Sequence, residues 1–235
     1  MIKTDGRKYR WIAFDAVGTL IHPVPAAGEV YQQIAAQFGS RLAADEVAIR
    51  FRRAFRESEQ GDLSLSDAAR LATSEAREYE RWQQIVTQVL NDVTDVAGCF
   101  EELFAHFAKS TSWRCFEEVP HVLADLQARG YRIALASNFD RRLHPVCDGL
   151  PGLAEIGVRI ISSEVGCRKP GRGFFDALVA QTGCRAEEVL MVGDDATNDI
   201  EGARQAGLDA VLINRRTPPG PGEIGNLREL IGLLK

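Results

Sequence analysis

The sequence contains no long hydrophobic run. Its apolar stretches at 133–136, 189–192 and 210–213 are each four residues long, whereas a membrane-spanning helix needs about 18 or more apolar residues in a row. The first ten residues are polar and charged, without the apolar stretch of a signal peptide. We therefore expect neither a membrane anchor nor export.

Paired cysteines are also missing. The 5 cysteines are an odd number, and no two of them form a Cys-x-x-Cys pair. This excludes a disulfide framework or a structural zinc site and indicates a reducing cytoplasm. The net charge of −5 is small for 235 residues, so the composition gives no reason to expect nucleic acid or an anionic membrane as a partner.

Short apolar runs alternate with helical patterns along most of the chain. Each run ends at polar residues or glycine, as expected for strands of a parallel sheet in an α/β fold. The runs lie at 10–14, 131–136, 158–161, 189–192 and 209–213.

The stretch 25–109 differs because its apolar residues recur at helical spacing and it carries no strand signal. It predicts an all-helical bundle of about four helices. Since it follows the first predicted strand directly, we interpret it as an inserted second domain. The predicted core comprises 1–24 and 110–235, with hinges near 22–26 and 110–117.

Reactive polar residues follow three of the predicted strands, and a lysine precedes a helix. Each has an ordinary structural explanation as a turn or cap residue. Ligands of open parallel sheets bind at the carboxyl ends of the strands, so the sequence predicts that these side chains share one crevice. They are Asp15, Ser137, Asn138, Lys169, Asp194, Asp195 and Asp199.

The charges of this group are unbalanced, since four carboxylates face one lysine. Like charges at short range raise the free energy or force protonation, and a bound hard cation such as Mg²⁺ would offset them. Such a site is suited to a phosphate: Lys169 neutralises its oxygens, Ser137 donates a hydrogen bond, and Asp15 is placed to attack phosphorus.

Four segments together resemble the motifs of the haloacid dehalogenase-like hydrolase superfamily. They lie at 14–20, 137–138, 169–170 and 193–199, and 136–143 is similar to the subgroup called haloacid dehalogenase-like hydrolase domain-containing protein 3. The resemblance implies a Rossmann-like core with an α-helical cap, in which cap closure excludes water.

The resemblance also implies residue roles. Asp15 would be the covalent nucleophile and, with the Val17 carbonyl and Asp194, would ligate Mg²⁺, while Asp195 or Asp199 would complete or orient the metal shell. The residues implied to bind the phosphate or the transferring group are Gly18, Thr19, Ser137, Asn138 and Lys169.

One position departs from the motif of the family's phosphatases. These usually carry a second Asp two residues after the nucleophile, which protonates the leaving alcohol and later activates water. Here that position is Val17, and general acid–base catalysis is worth about 10²–10⁴ in rate. We therefore expect poor turnover of ordinary alkyl phosphates. His22 is a candidate substitute, weighed against a hinge histidine with no part in proton transfer.

Three functions stay open from the sequence. The acidic fourth motif favours a Mg²⁺-dependent phosphatase acting on a small phosphorylated metabolite. A metal-independent 2-haloacid dehalogenase also lacks the second Asp, because a leaving halide needs no proton, but it does not keep that acidic pattern. The third is a catalytically degraded member that binds a ligand or a protein. Substrate identity and oligomeric state are left undetermined.

A cluster of four arginines in 45–59 is balanced by four acidic residues. The balance predicts a solvated helix face rather than a nucleic-acid patch, and it leaves open that one arginine binds a substrate anion. The arginines are Arg50, Arg52, Arg53 and Arg56.

Overall fold

A parallel sheet forms the centre of the computed structural model, which describes residues 8–60 and 67–234. With strands numbered along the chain, the sheet consists of β1 (Trp11–Phe14), β4 (Arg132–Ser137), β5 (Val158–Ile161), β6 (Val189–Gly193) and β7 (Asp209–Leu212). Their order across the sheet is β5-β4-β1-β6-β7, and all neighbours pair in parallel. All five predicted strands are present, and the predicted α/β class is confirmed.

Hydrophobic clusters cover both faces of the sheet, which is why its strands read as continuous apolar runs. In β1, Ile12 and Phe14 pack into one cluster, while Trp11 and Ala13 pack into the other. The flanking helices are α6 (Val119–Ala128), α7 (Leu143–Asp148), α8 (Ser162–Val165), α9 (Arg172–Thr182), α10 (Gly202–Gln205) and α11 (Leu227–Leu233). All five cysteines are free thiols.

Within the described ranges, five helices lie in the stretch 25–109, one more than predicted, and we call them the helical insert. They are α1 (Ala27–Gln37), α2 (Ala44–Gln60), α3 (Asp67–Leu71), α4 (Glu75–Val89) and α5 (Val96–His106). The insert has its own hydrophobic cluster, which includes Tyr31, Val47 and Phe100. No helix in the described part of the chain has the length and apolarity that a membrane span requires.

An antiparallel ribbon joins the insert to the sheet. It pairs β2 (Ile21–Pro23) with β3 (Trp113–Cys115), and Pro23 lies opposite Trp113. The sequence did not predict these strands, because each has three residues and neither shows an alternating pattern. Their pairing depends on a partner far away in the chain, which local periodicity does not report.

The insert also contacts the segment of the chain that leads into Lys169. The Thr73 amide donates to the Gly166 carbonyl at 3.1 Å, and the Arg168 amide donates to the Leu71 carbonyl at 2.8 Å. These backbone hydrogen bonds hold the carboxyl end of α3 and the residues after it against the segment 166–168, which directly precedes Lys169.

Candidate active site

The predicted site residues meet at the carboxyl edge of the sheet. Phe14 of β1 lies between Leu135 of β4 and Val192 of β6. The residues that follow these three positions therefore leave the sheet at the same level. Ser137 ends β4, and Asp194 follows β6 directly, so both flank Asp15.

Asp15 is buried and accepts two hydrogen bonds through one carboxylate oxygen. Ser137 Oγ donates to Asp15 Oδ1 at 3.0 Å, and Lys169 Nζ donates to the same oxygen at 2.8 Å. Burial raises the pKa of Asp15, while Lys169 lowers it and Asp194 raises it. The structure thus brings together the nucleophile, hydroxyl donor and lysine expected from the sequence.

Lys169 is held by three oxygens in the interior of the site. Besides Asp15, its Nζ donates to Asp199 Oδ1 at 2.5 Å and to the Ala136 carbonyl at 2.9 Å. Burial alone would lower the pKa of Lys169, but the two carboxylates outweigh it and raise that pKa. The ammonium therefore stays charged and fixed in position.

Asn138 acts on the backbone of Lys169. Its Nδ2 donates to the Lys169 carbonyl at 3.0 Å, and its Oδ1 accepts from the Lys169 amide at 2.8 Å. This reciprocal pair uses both ends of the side-chain amide. Asn138 therefore positions Lys169, because both polar atoms of its side-chain amide are hydrogen-bonded to the Lys169 backbone.

Gly18 and Thr19 lie in the turn after Asp15, next to Asp194. The Gly18 amide donates to the Ile21 carbonyl at 2.8 Å, and Thr19 Oγ1 donates to Asp194 Oδ1 at 3.4 Å. Gly18 has φ +94°, and a Cβ there would collide with the Asp194 carboxylate. Glycine thus allows both the turn and the close approach of Asp194.

Three carboxylates converge on one point. One oxygen each of Asp15, Asp194 and Asp199 lies within 4.8 Å of the other two. Burial, followed by the charge of Asp199, raises the pKa of Asp194 to about 6, and burial raises the pKa of Asp199 to about 6 against the pull of Lys169. A hard divalent cation fits this set of oxygen donors, since Mg²⁺ prefers carboxylates and keeps open positions for water and phosphate.

The Asp195 carboxylate has a different role. It accepts from the amides of Thr197 and Asn198 at 2.9 and 2.8 Å and caps the helical turn 196–201. The Asp195 amide in turn donates to Asp199 Oδ2 at 3.0 Å. Asp195 therefore shapes the turn that brings Asp199 into the site, and its side chain is not one of the three convergent carboxylates.

Val17 and His22 differ in their access to the site. Val17 is 37% exposed and lines the cavity in front of Asp15. The His22 ring packs against Phe116 with 4.8 Å between centroids, and His22 is not among the residues that line this cavity. Within the described chain, the structure gives no support to His22 as the missing proton donor.

Arg215 is a supporting residue that sequence reasoning missed. Its Nη2 donates to the Thr19 carbonyl at 2.7 Å, its Nη1 lies 2.7 Å from Glu118 Oε1, and its guanidinium stacks on Phe116. Through these contacts Arg215 stabilises the loop that follows Asp15. No local signal marks it, because it lies in a loop rich in proline and glycine, 196 residues after Thr19.

An Arg215→Met variant is expected to lower the free energy of unfolding by about 3 kcal/mol, because it leaves the buried Glu118 carboxylate unpaired. Urea unfolding measures the loss. The matched control is the double variant Arg215→Met/Glu118→Gln, which removes the unpaired charge and should recover part of the lost free energy of unfolding. A single variant within about 0.5 kcal/mol of wild type would contradict the role assigned to the pair.

The site opens into a cavity between the sheet and the insert, which we call the crevice. Its volume is about 1060 Å³, slightly above the usual range for sites that bind small molecules. Asp15, Lys169 and Asp194 line it from the sheet, and side chains of α2 and α4 line it from the insert.

The sheet order, the insert after β1 and the lysine-paired aspartate at the carboxyl edge define a class of hydrolases. The family model "haloacid dehalogenase-like hydrolase" matches residues 9–207. The chain therefore belongs to the haloacid dehalogenase-like hydrolases, and it is an enzyme of that family. This confirms the resemblance drawn from the four motifs.

Curated relatives agree with this assignment. The Danio rerio haloacid dehalogenase-like hydrolase domain-containing protein 3 is 26% identical over 212 residues, which are 88% of this chain and 86% of the relative. This agrees with the subgroup indicated by segment 136–143. A Thermus thermophilus phosphoserine phosphatase is 33% identical over 133 residues, 54% of this chain and 53% of that protein.

Solved structures share the fold. An L-2-haloacid dehalogenase from Xanthobacter autotrophicus, with chloropropionic acid covalently bound, has a TM-score of 0.71 at 16% identity and covers 96% of this chain and 98% of its own. A phosphatase of this family from Thermococcus onnurineus has a TM-score of 0.63 at 22% identity, with coverages of 95% and 97%. At these identities the likeness concerns the fold.

Proposed function

We propose that this hydrolase is a Mg²⁺-dependent phosphatase that transfers the phosphoryl group of a small substrate to Asp15. The observation that carries the proposal is the charge of the site, in which Asp15, Asp194 and Asp199 converge around the single ammonium of Lys169. A divalent cation offsets the excess of negative charge, and a phosphate is the group that such a cation and a lysine bind together. Phosphatases among the sequence relatives support this choice.

The side chains that would hold Mg²⁺ are Asp15, Asp194 and Asp199, with the Val17 carbonyl as a further oxygen donor. When bound, the ion supplies neutralisation of the phosphoryl oxygens. Asp195 contributes through the turn that it caps, since its amide holds Asp199. The predicted cytoplasmic location stays a prediction.

In the proposed reaction, a carboxylate oxygen of Asp15 attacks phosphorus, and the bond from phosphorus to the leaving group breaks with its electron pair on the leaving group. Water then hydrolyses the aspartyl phosphate, which releases phosphate and restores the carboxylate. Lys169 and Ser137 hold Asp15 Oδ1 at 2.8 and 3.0 Å, so they orient the nucleophile and lie beside the oxygens of the transferring group.

Val17 determines which leaving groups suit this site. A valine side chain cannot donate a proton, and it lines the crevice where the family's phosphatases usually carry an acid. The leaving group must therefore be stable as an anion, as in an acyl phosphate or an aryl phosphate. Alkyl phosphates, whose alkoxide needs a proton, would react slowly.

A dehalogenase is the second candidate function, favoured by Val17 because a halide leaves without a proton. Its substrate carboxylate would have to enter beside Asp194 and Asp199 without a cation, and those charges would repel it. The third candidate, a member that binds without turnover, predicts retained Mg²⁺ or phosphate binding and no product.

One set of assays separates the three functions. Release of phosphate from acetyl phosphate and of nitrophenol from p-nitrophenyl phosphate is expected with Mg²⁺, and excess EDTA should abolish both. Chloride release from 2-chloropropionate that is insensitive to EDTA would instead establish the dehalogenase. A lack of turnover on all three substrates, with Mg²⁺ binding retained, would favour the binding member.

The raised pKa values predict how Mg²⁺ stabilisation depends on pH. Because the pKa of Asp194 is about 6 in the folded chain, above the ordinary value of 3.8, the metal-free protein loses stability as pH rises from about 4 to about 6. Mg²⁺ needs the ionised carboxylates, so it should raise Tm by roughly 5–10 °C at pH 7.5 when present at about 100 times its Kd. At pH 5 the increase should be much smaller.

Thermal unfolding across this pH range, with Mg²⁺ or with EDTA, measures the effect. Asp194→Asn should reduce the increase at pH 7.5, and Asp125→Asn, a change of a half-buried aspartate on α6 far from the site residues in sequence, should preserve it. An increase of equal size at both pH values would argue against carboxylates as the ligands.

A further inference from the structure

The four arginines of α2 form two pairs with different surroundings. Arg50 and Arg53 each form an ion pair with a glutamate of the same helix, at N–O distances of 2.7 and 3.8 Å. Arg52 and Arg56 are exposed and line the crevice. Neither forms a hydrogen bond or an ion pair with any residue that the structure describes. The balance of charge within the helix therefore accounts for Arg50 and Arg53, while Arg52 and Arg56 face both solvent and the crevice.

Arg52 and Arg56 are suited to hold one anion between them. They are four residues apart, so their side chains lie on the same face of α2 in adjacent turns. Arg52 also borders a smaller cavity lined by Glu29 and Asp45, but it forms an ion pair with neither. Two guanidinium groups at this spacing, without a partner among the described residues, repel each other, and a carboxylate or phosphate bound between them would remove that repulsion.

Aromatic side chains lie beside this arginine pair in the crevice. The Phe55 ring is 6.1 Å from the Phe51 ring and 6.1 Å from the Trp82 ring, measured between centroids. All three rings line the crevice, and Phe55 is 38% exposed there. Contact with an apolar part of a ligand would cover these rings and remove their surface from water.

The charges of the crevice differ between its two walls. On the sheet side four aspartates are matched by Lys169 and three arginines, whereas on the insert side Glu78 is the single carboxylate among the described lining residues. Glu78 is already engaged, because it accepts from Thr73 Oγ1 at 2.7 Å and lies 3.5 Å from Arg81. The arginines of the insert that line the crevice are Arg52, Arg56, Arg70 and Arg81.

We propose that Arg52 and Arg56 bind a second anionic group of the substrate, separated from its phosphoryl group by an apolar body that contacts Phe55 and Trp82. This rests on the proposed phosphatase function, which places the phosphoryl group at Asp15. The substrate is thus a phosphorylated compound with an apolar middle and a carboxylate or a second phosphate at its far end.

Binding of non-hydrolysable probes tests this proposal. Alkylphosphonates are compared, chain length by chain length, with ω-phosphonoalkanoates and with alkane bisphosphonates, using calorimetry and tryptophan fluorescence with Mg²⁺ present. At one chain length or more, the second anionic group should tighten binding to wild type by about tenfold or more. The carboxylate and bisphosphonate arms show which anion is preferred.

Two variants of α2 locate the effect. The double variant Arg52→Gln/Arg56→Gln should bind the singly and doubly anionic probes equally, and Arg53→Gln, the matched control on the same helix, should retain the preference. Equal affinities in wild type at every chain length, or the same loss in Arg53→Gln, would overturn the proposal.

Hydrolysis of p-nitrophenyl phosphate by wild type reports on the proposed function independently. Hydrolysis without any probe preference would overturn the second anion site alone. An arginine-dependent preference without hydrolysis would instead support the anion site and overturn the phosphatase.

Discussion

An Asp15→Asn variant is expected to lose phosphatase turnover by about 10⁴-fold or more, because an amide oxygen is a poor nucleophile toward phosphorus. The side chain keeps its shape, and its Oδ1 can still accept from Ser137 and Lys169. Since burial raises the pKa of Asp15, removing its charge should leave Tm unchanged or higher. Initial rates with acetyl phosphate and thermal unfolding measure both effects.

The control for this variant is Asp125→Asn, which removes a half-buried carboxylate of α6 that pairs with Arg129. It should retain the activity of wild type. Acid quenching of wild type during turnover should also trap a phosphate on Asp15 that hydroxylamine releases. If Asp15→Asn kept more than about a hundredth of the wild-type rate, the nucleophile would have to be another residue.

A Val17→Asp variant is expected to gain about 10²–10⁴-fold in kcat/KM for alkyl phosphates, because it supplies the acid that protonates an alkoxide leaving group. Val17 is 37% exposed in the crevice, so a polar side chain there loses little hydration. Acetate leaves without protonation, and the gain with acetyl phosphate should therefore be much smaller. The ratio of kcat/KM for the two substrates is the quantity to measure.

Val17→Asn serves as the matched control, since it has the size and polarity of Asp but cannot transfer a proton at neutral pH. It should leave the ratio near that of wild type. An equal change in the ratio for Val17→Asp and Val17→Asn would show that proton transfer is not limiting. Fast turnover of alkyl phosphates by wild type would mean that another group already acts as the acid.

The sequence was enough to predict the sheet and the fact that the site residues lie close together. Because the strands of the sheet are buried on both faces, each strand is a short continuous run of apolar residues, and such runs are visible in the sequence alone. Because all the strands are parallel, the residues that follow them meet at one edge. The positions of the apolar runs are therefore enough to predict that Asp15, Ser137 and Asp194 lie together.

The division of roles within the site was not predictable in the same way. Asp195 and Asp199 are equally acidic, and the shape of the turn after β6 decides which of them faces Asp15. The preference of Asp for helix N-termini was a signal for the capping role of Asp195. Whether Arg52 or Arg53 lines the crevice depends on how α2 is rotated against its neighbours. The balance of charges in the sequence carries no information about that rotation.

The ribbon of β2 and β3 makes the whole helical insert equivalent to the loop of a hairpin. Pro23 and Trp113 are paired across the ribbon, so the chain leaves and returns at points about 5 Å apart. A turn of two residues can span such a gap. The length and contents of this loop can therefore change without shifting the register of the sheet, and a different set of helices can be grafted there over the same nucleophile if it replaces the insert's contacts with Gly166 and Arg168.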